Sequence, residues 1–320
     1  MKEISTFHKG SVQAVLDQLG FGWYQVRVII ILGIAQAADT METFIQAILG
    51  PTLRCDWNLS SDYVAMLATM VFLGVCIGSP LMGYISDHLG RKSISILCCL
   101  ALAYMTVLCT VVPAYSWLAS LRFIAGFYIS GLLAAANSMI SEFMPEVYQA
   151  TGQLMVCSLD SLVALYITGA GFGCMVAGFS WRIFLLLTIV PLLLSAAGLA
   201  FMLDESPLLL SHWGKNIKAA KILDRIAKVN NRVPKQTQED CEGPMKPFSF
   251  VGRLHESVKE DTAFDFSLGG FGRVIKILVV DYTTATALLV WINIIWGLII
   301  YGGTTLLPVE IPSNPRTCLQ

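Results

Sequence analysis

Charge is scarce in this sequence. Only 13% of its 320 residues are Asp, Glu, Lys or Arg, and the formal net charge is −1. A soluble domain carries about 25% charged residues to cover its surface. With 55% hydrophobic residues and a mean hydropathy of +0.67, this chain has lipid for part of its solvent. It has no basic face, which excludes nucleic acid as a partner. Cysteine occurs 9 times but without the spacing of a disulfide framework or a metal site. Cys76, Cys98, Cys99, Cys109, Cys157 and Cys174 lie in apolar runs, where they act as small hydrophobes, and only Cys55, Cys241 and Cys318 fall outside. A P-loop, metal-ligand spacing and a nucleophile–base–orienter set are all missing, so the chain calls for no cofactor or metal and an enzyme is not expected.

What the chain does have is apolar length. A spanning helix takes roughly 20 residues, and seven stretches qualify: Arg27–Leu49, Tyr63–Ile85, Ser93–Val112, Trp117–Ile140, Gln153–Val176, Ile183–Leu203 and Thr284–Leu307. The first starts too late to be a cleaved signal peptide. Before it, Ser11 to Leu19 reads as a short amphipathic helix ended by Gly20 and Gly22. The fold class is therefore an all-α, multi-pass membrane protein. Its expected organisation is an N-terminal cytoplasmic segment (1–26), a six-helix transmembrane bundle (27–203), a cytoplasmic loop with amphipathic helices (204–282), a seventh span (283–308) and a short tail (309–320).

Lys and Arg set the orientation. Lys2, Lys9, Arg27, Arg91, Lys92 and the cations of the long link (Lys215, Lys218, Lys221, Arg225, Lys228, Arg232) fall on one side, against Arg54, Arg182 and Arg316 on the other. This places the N-terminus in the cytoplasm. Asn216 to Val229 carries apolar residues at helical spacing with Lys and Arg between them and reads as a helix lying under the membrane. From Pro234 to about Gly272 the chain turns polar and reads as a loop. Six short-looped spans, a long link and a seventh span is how a transporter of two six-helix halves begins.

Ionisable groups inside spans cost about 2.5–3.5 kcal/mol on insertion scales and mark functional sites by default. Span one carries Asp39 and Glu42 on one helix face, within a polar stripe of Gln36, Asp39, Thr43 and Gln46. Arg122 opens span four, with Ser130 and Asn137 near its face and Gly126 allowing a close approach; Asp160 lies in span five. Asp39 and Arg122 are most cheaply housed facing a shared aqueous cavity. A structural ion pair that fixes helix register is the competing reading. Asp160 reads equally as a helix–helix hydrogen bond, Glu42 as a cap on the cavity mouth, and Asn137 and the aromatics of span seven as packing residues.

Between spans two and three stands Gly83-Tyr-Ile-Ser-Asp87-His-Leu-Gly90-Arg91-Lys92. Gly83 allows close helix contact, Asp87 caps or pairs at the helix end, Gly90 makes the turn, and Arg91 and Lys92 hold the cytoplasmic surface. This run resembles the signature of the major facilitator superfamily. Arg122-Phe-Ile-Ala-Gly126, Glu142-Phe-Met-Pro145, Trp181-Arg182 and Asp204-Glu205-Ser206-Pro207 resemble its sugar and organic-ion porter branch. Leu19 to Gln25, Ala38 to Glu42, Leu49-Gly50-Pro51, and Trp291 followed by Tyr301-Gly302 are similar to the synaptic vesicle 2-related group, the vesicle glycoprotein 2 group and plant nicotinate-type organic-ion transporters.

The resemblance implies twelve spans in two bundles, of which this chain holds the N-terminal six-helix half and one helix of the other. It implies a small organic substrate, organic ion or sugar-like, bound near the midplane and carried by alternating access, with a proton or other cation coupled. Gln36, Asp39, Glu42, Arg122, Asn137, Asp160, Trp291 and Tyr301 become substrate- or proton-coupling residues. Gly83, Asp87, Gly90, Arg91, Lys92, Glu142 and Glu205 become a cytoplasmic gate. Two cations of that gate are replaced here, by Gln149 and Leu208, which weakens it or leaves Glu142 and Glu205 to share Arg91. The chain stops soon after span seven, so a fragment or truncated product is expected, or else two chains that combine. A non-transporting vesicle scaffold or receptor is the alternative function. A seven-helix receptor fits poorly, because the N-terminus is cytoplasmic and the Asp-x-x-Gly-Arg-Lys run follows span two. Synaptic or other secretory vesicles, or the plasma membrane, are the implied locations. Asn58-Leu59-Ser60 is a weak glycosylation acceptor on the opposite side.

Overall fold

A segment crossing lipid must satisfy its backbone hydrogen bonds internally, which leaves long apolar runs the helix as their conformation. The computed structural model describes residues 12–232 together with residues 287, 288, 291 and 295, and contains no strand among them. The elements in order are α1 (12–19), α2 (Trp23–Gln36), α3 (Ala38–Trp57), α4 (Ser61–Leu89), α5 (Arg91–Val111), α6 (Tyr115–Phe143), a 3₁₀ turn at Glu146–Tyr148, α7 (Gln149–Val176), α8 (Trp181–Met202), α9 (Pro207–His212) and α10 (Asn216–Val229).

Among the described residues, 6 stretches are long and apolar enough to cross a membrane: Trp23–Arg54, Ser61–Leu89, Arg91–Val111, Tyr115–Phe143, Glu146–Cys174 and Trp181–Met202. Most outrun the apolar stretches that suggested them, because a helix ends where its backbone is capped and not where side chains turn polar. Gly90, at φ 103°, supplies the left-handed turn that separates α4 from α5. Ser180 caps α8, and Ser206 caps α9 by accepting from Leu209 N at 3.2 Å ahead of Pro207. The first stretch divides into α2 and α3 at Ala37, although the helical bonds continue through it, from Ala37 N to Gly33 O at 3.1 Å and from Met41 N to Ala37 O at 2.8 Å. The expected seventh span, the link beyond residue 232 and the tail lie outside the described residues, apart from Ala287, Leu288, Trp291 and Ile295, which are helical.

The described residues fall into two compact units. One comprises residues up to 45 and from 66 to 232; the other holds residues 46–65 with the described residues of 287–295. In the larger unit α5 packs along both α6 and α8, and α2 along α6, α7 and α8. The α4–α6 crossing is a backbone contact. A Cβ on Gly126 would strike the carbonyl of Val71, and one on Gly74 would strike that of Phe123. Glycine is required there because helices in lipid associate through close packing. Gly83, expected to permit a similar approach, has nothing within 4 Å of where its Cβ would sit.

One end of this unit is tied by long-range polar contacts. Asp17 of α1 accepts from Glu146 N at 2.7 Å, and Gln13 Nε2 donates to Met144 O at 3.2 Å. Asn230, which ends α10, accepts from Tyr24 N at 3.1 Å and donates to Gln25 Oε1 at 2.8 Å. Gln25 Nε2 in turn reaches Phe143 O at 3.4 Å. Asp204 accepts from the Tyr24 hydroxyl at 3.3 Å and from Arg225, while Arg232 Nη1 donates to Leu19 O at 3.2 Å. These contacts gather α1, the start of α2, the α6–α7 connection, the end of α8 and α10. In the smaller unit, Asn58 is exposed in the loop 58–60 and adopts φ 50°, a conformation asparagine tolerates better than most residues.

The glycine contact yields a paired prediction. Gly126→Leu will lower the melting temperature of the detergent-purified chain, since overpacking costs about 1–3 kcal/mol and a backbone has little room to yield. Gly83→Leu, facing open space, will leave it within the roughly 0.5 kcal/mol scatter of neutral substitutions. Differential scanning fluorimetry of the two variants compares them directly.

Candidate functional site

The candidate site centres on α3. Asp39 lies in its first turn, and the Asp39 backbone carbonyl accepts from Thr43 Oγ1 at 3.1 Å. One turn on, Glu42 is buried and forms an ion pair with Arg122 of α6, itself only 3% exposed. The partner of Arg122 is therefore Glu42, and Asp39 stays half-buried on the same helix face. Arg122 sits two turns inside α6, not at its start. Its Nη2 finds no acceptor among the described residues, so the guanidinium keeps hydrogen-bonding capacity that those residues do not use.

Beside this pair runs a narrow cleft. Ala38, Met41 and Glu42 of α3, Thr106 of α5, Ile129 of α6 and Thr188 of α8 are among its lining residues. The threonines present little polarity to it, because Thr106 and Thr188 hydroxyls turn back to the carbonyls of Leu102 and Leu185, at 2.8 and 2.7 Å. Glu42 is thus the charged group in the wall. A buried ion pair next to an apolar cleft is a strong, short-range device. Its attraction is large because the surroundings are poorly polarisable, and so is the cost of leaving either partner alone.

A second polar contact joins α3 to α7. Thr40 Oγ1 donates to Asp160 Oδ2 at 2.8 Å, while Asp160 Oδ1 has no donor among the described residues. Gln36, the last residue of α2, also keeps a buried Oε1 without a partner there. Asn137 is exposed and accepts from Gln153 Nε2 at 2.8 Å, which links α6 to α7 instead of lining the cleft. Trp291 is helical and 62% exposed; Tyr301 lies outside the described residues. No group of three or more His, Cys, Asp or Glu among the described residues could hold a metal ion.

At the end of the unit that holds α1, Arg91 bridges Asp87, at 3.2 Å, and Glu142. Glu205 does not share that arginine. It accepts from the backbone N–H groups of Lys92 at 3.1 Å and Ser206 at 3.2 Å, and the Gly90 turn lies against it. Lys92 Nζ reaches Ala200 O at 3.1 Å. At the two positions without the expected cations, Gln149 Nε2 donates to Ser141 O at 3.1 Å and Leu208 is buried. Backbone donors and an apolar contact do the work that cations were expected to do. The sequence reading missed the roles of Gln25, Asn230 and Asp204, although the position of Asn230 as a helix-ending residue hinted at one of them.

The family description of the major facilitator superfamily matches residues 32–312 of this chain. Synaptic vesicle 2-related protein of Bos taurus is 36% identical over 224 residues, covering 68% of this chain and 39% of that protein. The same protein of Xenopus laevis is 30% identical over 312 residues, covering 96% of this chain and 51% of that protein. The chain thus spans about half the length, or less, of these curated relatives. The solved structure of the proton:xylose symporter XylE bound to 6-bromo-6-deoxy-D-glucose aligns over 93% of this chain and 71% of its own, with a TM-score of 0.59 and 18% identity. At that identity the likeness concerns the fold alone.

The ion pair predicts a non-additive mutant cycle. Arg122→Met or Glu42→Leu alone will destabilise the chain by about 3–5 kcal/mol, since each strands a buried charge, while the double variant will recover most of the loss. Unfolding in mixed micelles, followed by circular dichroism, measures all three.

Proposed function

This chain belongs to the major facilitator superfamily and is a multi-pass membrane protein, and from that premise we propose that it forms the N-terminal part of a carrier for small organic solutes, working by alternating access and coupled to a proton or another cation. The observation that carries the proposal is the buried Arg122–Glu42 pair, with a donor of Arg122 still unspent.

The chemistry runs as an exchange of partners. While Glu42 is ionised it holds Arg122, and α3 is clamped to α6. A proton on Glu42 removes the negative charge that Arg122 needs. The guanidinium then seeks another anion or acceptor, which an incoming solute in the cleft can provide. Solute and proton each release the same bond, so binding of one favours the other. Asp39, at the start of the same helix, and Asp160, tied to Thr40, are placed to take or pass a proton or cation as α3 shifts. Gln36, whose side-chain carbonyl oxygen has no donor among the described residues, would contact the solute. Asn137, bound to Gln153, supports α6 and α7 from the far side. Trp291 and Tyr301 would contact the solute from the expected seventh span.

Gly83, Asp87, Gly90, Arg91, Lys92, Glu142 and Glu205 would serve as the gate at the end holding α1. That end is assigned to the cytoplasm on the excess of Lys and Arg there. Opening it would require Arg91 to leave Glu142 and Glu205 to surrender the Lys92 N–H. Residence in a vesicle membrane is supported by the names of the relatives, and use of the Asn58 sequon by its exposure.

Proteoliposomes holding the purified chain and a pH-sensitive dye inside test the proposal with a panel of small organic anions, cations and sugars. At least one solute should drive proton movement in the wild-type chain. Glu42→Gln should abolish that solute-driven proton signal while leaving solute binding measurable by thermal shift. A panel in which no solute moves protons or shifts the melting temperature would overturn the carrier reading.

A further inference from the structure

The outer face of α10 is unused by anything above. Lys218, Lys221, Arg225 and Lys228 follow at spacings of three, four and three and are all exposed. At about 100° per residue they share an arc of about 80°. The face that α10 buries, through Ala219, Ala220, Leu223 and Ile226, lies on the opposite side of the helix. Lys215, also exposed, extends the basic line past the helix start and lies over the Trp213 ring at 4.4 Å. Arg225 is spent on Asp204. Lys215 is held by the Trp213 ring and Lys228 faces Asp224, yet Lys218, Lys221 and Lys228 still concentrate positive charge on one helix face in a chain whose net charge is −1.

Where this helix is held decides what that charge meets. Asn230 binds the backbone N–H of Tyr24 at the first turn of α2. Arg225 binds Asp204, two residues past the end of α8 at Met202. Trp213 lies 3.4 Å from where a Cβ of Gly90 would sit, at the turn between α4 and α5. Three points at which spans leave the bilayer thus pin α9 and α10 at headgroup level. Ile217, 51% exposed, sits beside the lysine arc, and an aliphatic side chain next to lysines on an amphipathic helix suits an interface of headgroups and acyl chains.

We propose that the Lys215–Lys218–Lys221–Lys228 face of α10 is a docking surface for anionic lipid headgroups of the leaflet on the α1 side. The proposal rests on the assignment of that side to the cytoplasm, whose leaflet carries the anionic lipids, and not on transport activity. Lysine suits this partner because its flexible stem and point charge accept many headgroup positions, where a specific phosphate site would call for arginine. Because α10 is bonded to the start of span one and just past the end of span six, lipid held on its outer face would steady the same polar knot that joins α1 to the α6–α7 connection.

The experiment is amide hydrogen exchange of the full chain in nanodiscs of phosphatidylcholine, with or without about 30% phosphatidylserine. Exchange across residues 213–229 is expected to slow about threefold or more with phosphatidylserine at low salt, and the difference to vanish near 0.5 M salt. Lys215→Gln, Lys218→Gln, Lys221→Gln and Lys228→Gln combined should erase the lipid effect while the spans keep wild-type exchange. Equal exchange in the two lipids would overturn the proposal. So would a lipid effect that survives in the combined variant, or protection by soluble polyglutamate in the absence of any protection by phosphatidylserine.

Discussion

A guanidinium and a carboxylate inside an apolar bundle tolerate only a narrow range of arrangements, and the Arg122–Glu42 pair imposes that limit on everything around it. Each charge alone would be costly in lipid, so each is stable only while α3 keeps its polar face turned to α6. The glycines at 74, 78 and 126 then bring α4 against the same helix backbone to backbone, which leaves α6 little freedom to rotate. A helix fixed on adjoining faces by backbone contact and by an ion pair is a good reference frame for motion elsewhere.

The far end of the unit solves a different problem by similar means. Carboxylates there need donors, and Arg91 is one cation among Asp87, Glu142 and Glu205. Glu205 is satisfied by backbone N–H groups at the start of α5, a site that favours an anion on dipole grounds as well. A carboxylate held by a helix start is tied to a whole element, not to one flexible side chain. Loss of the two expected cations therefore need not loosen this end. The contact simply shifts from side chains to main chain, and side-chain reasoning from sequence has no way to register it.

That shift marks where sequence reading succeeds and where it stops. Long apolar runs and their order were legible, because the bilayer sets both length and conformation. So was the placement of Asp39 and Glu42 on one face and of Gly126 at a close contact, since helical periodicity alone decides these. Which acid meets Arg122 was not legible. Asp39 and Glu42 differ by less than one turn, and the choice depends on the rotation of α3 and α6. Gly83, a glycine in a recognisable run read as a packing contact, meets no neighbour within 4 Å among the described residues. Contacts such as Tyr24 with Asn230, separated by 206 residues, leave no local pattern at all.

Those distant contacts also connect the two ends of span one. Tyr24 and Gln25 open α2 and are bonded to Asn230, Asp204 and Phe143, while Gln36 closes it just before Ala37. Helix α2 is therefore anchored at one end to a polar knot outside the bilayer and abuts the candidate site at the other. Between them, Ala37 keeps αR dihedrals, donates to Gly33 O at 3.1 Å and accepts from Met41 N at 2.8 Å, so the helical ladder runs on from α2 into α3. With few ways to stretch a helix, a displacement of the knot is carried along this ladder toward Glu42, and a change in the pairing of Glu42 is carried back the same way.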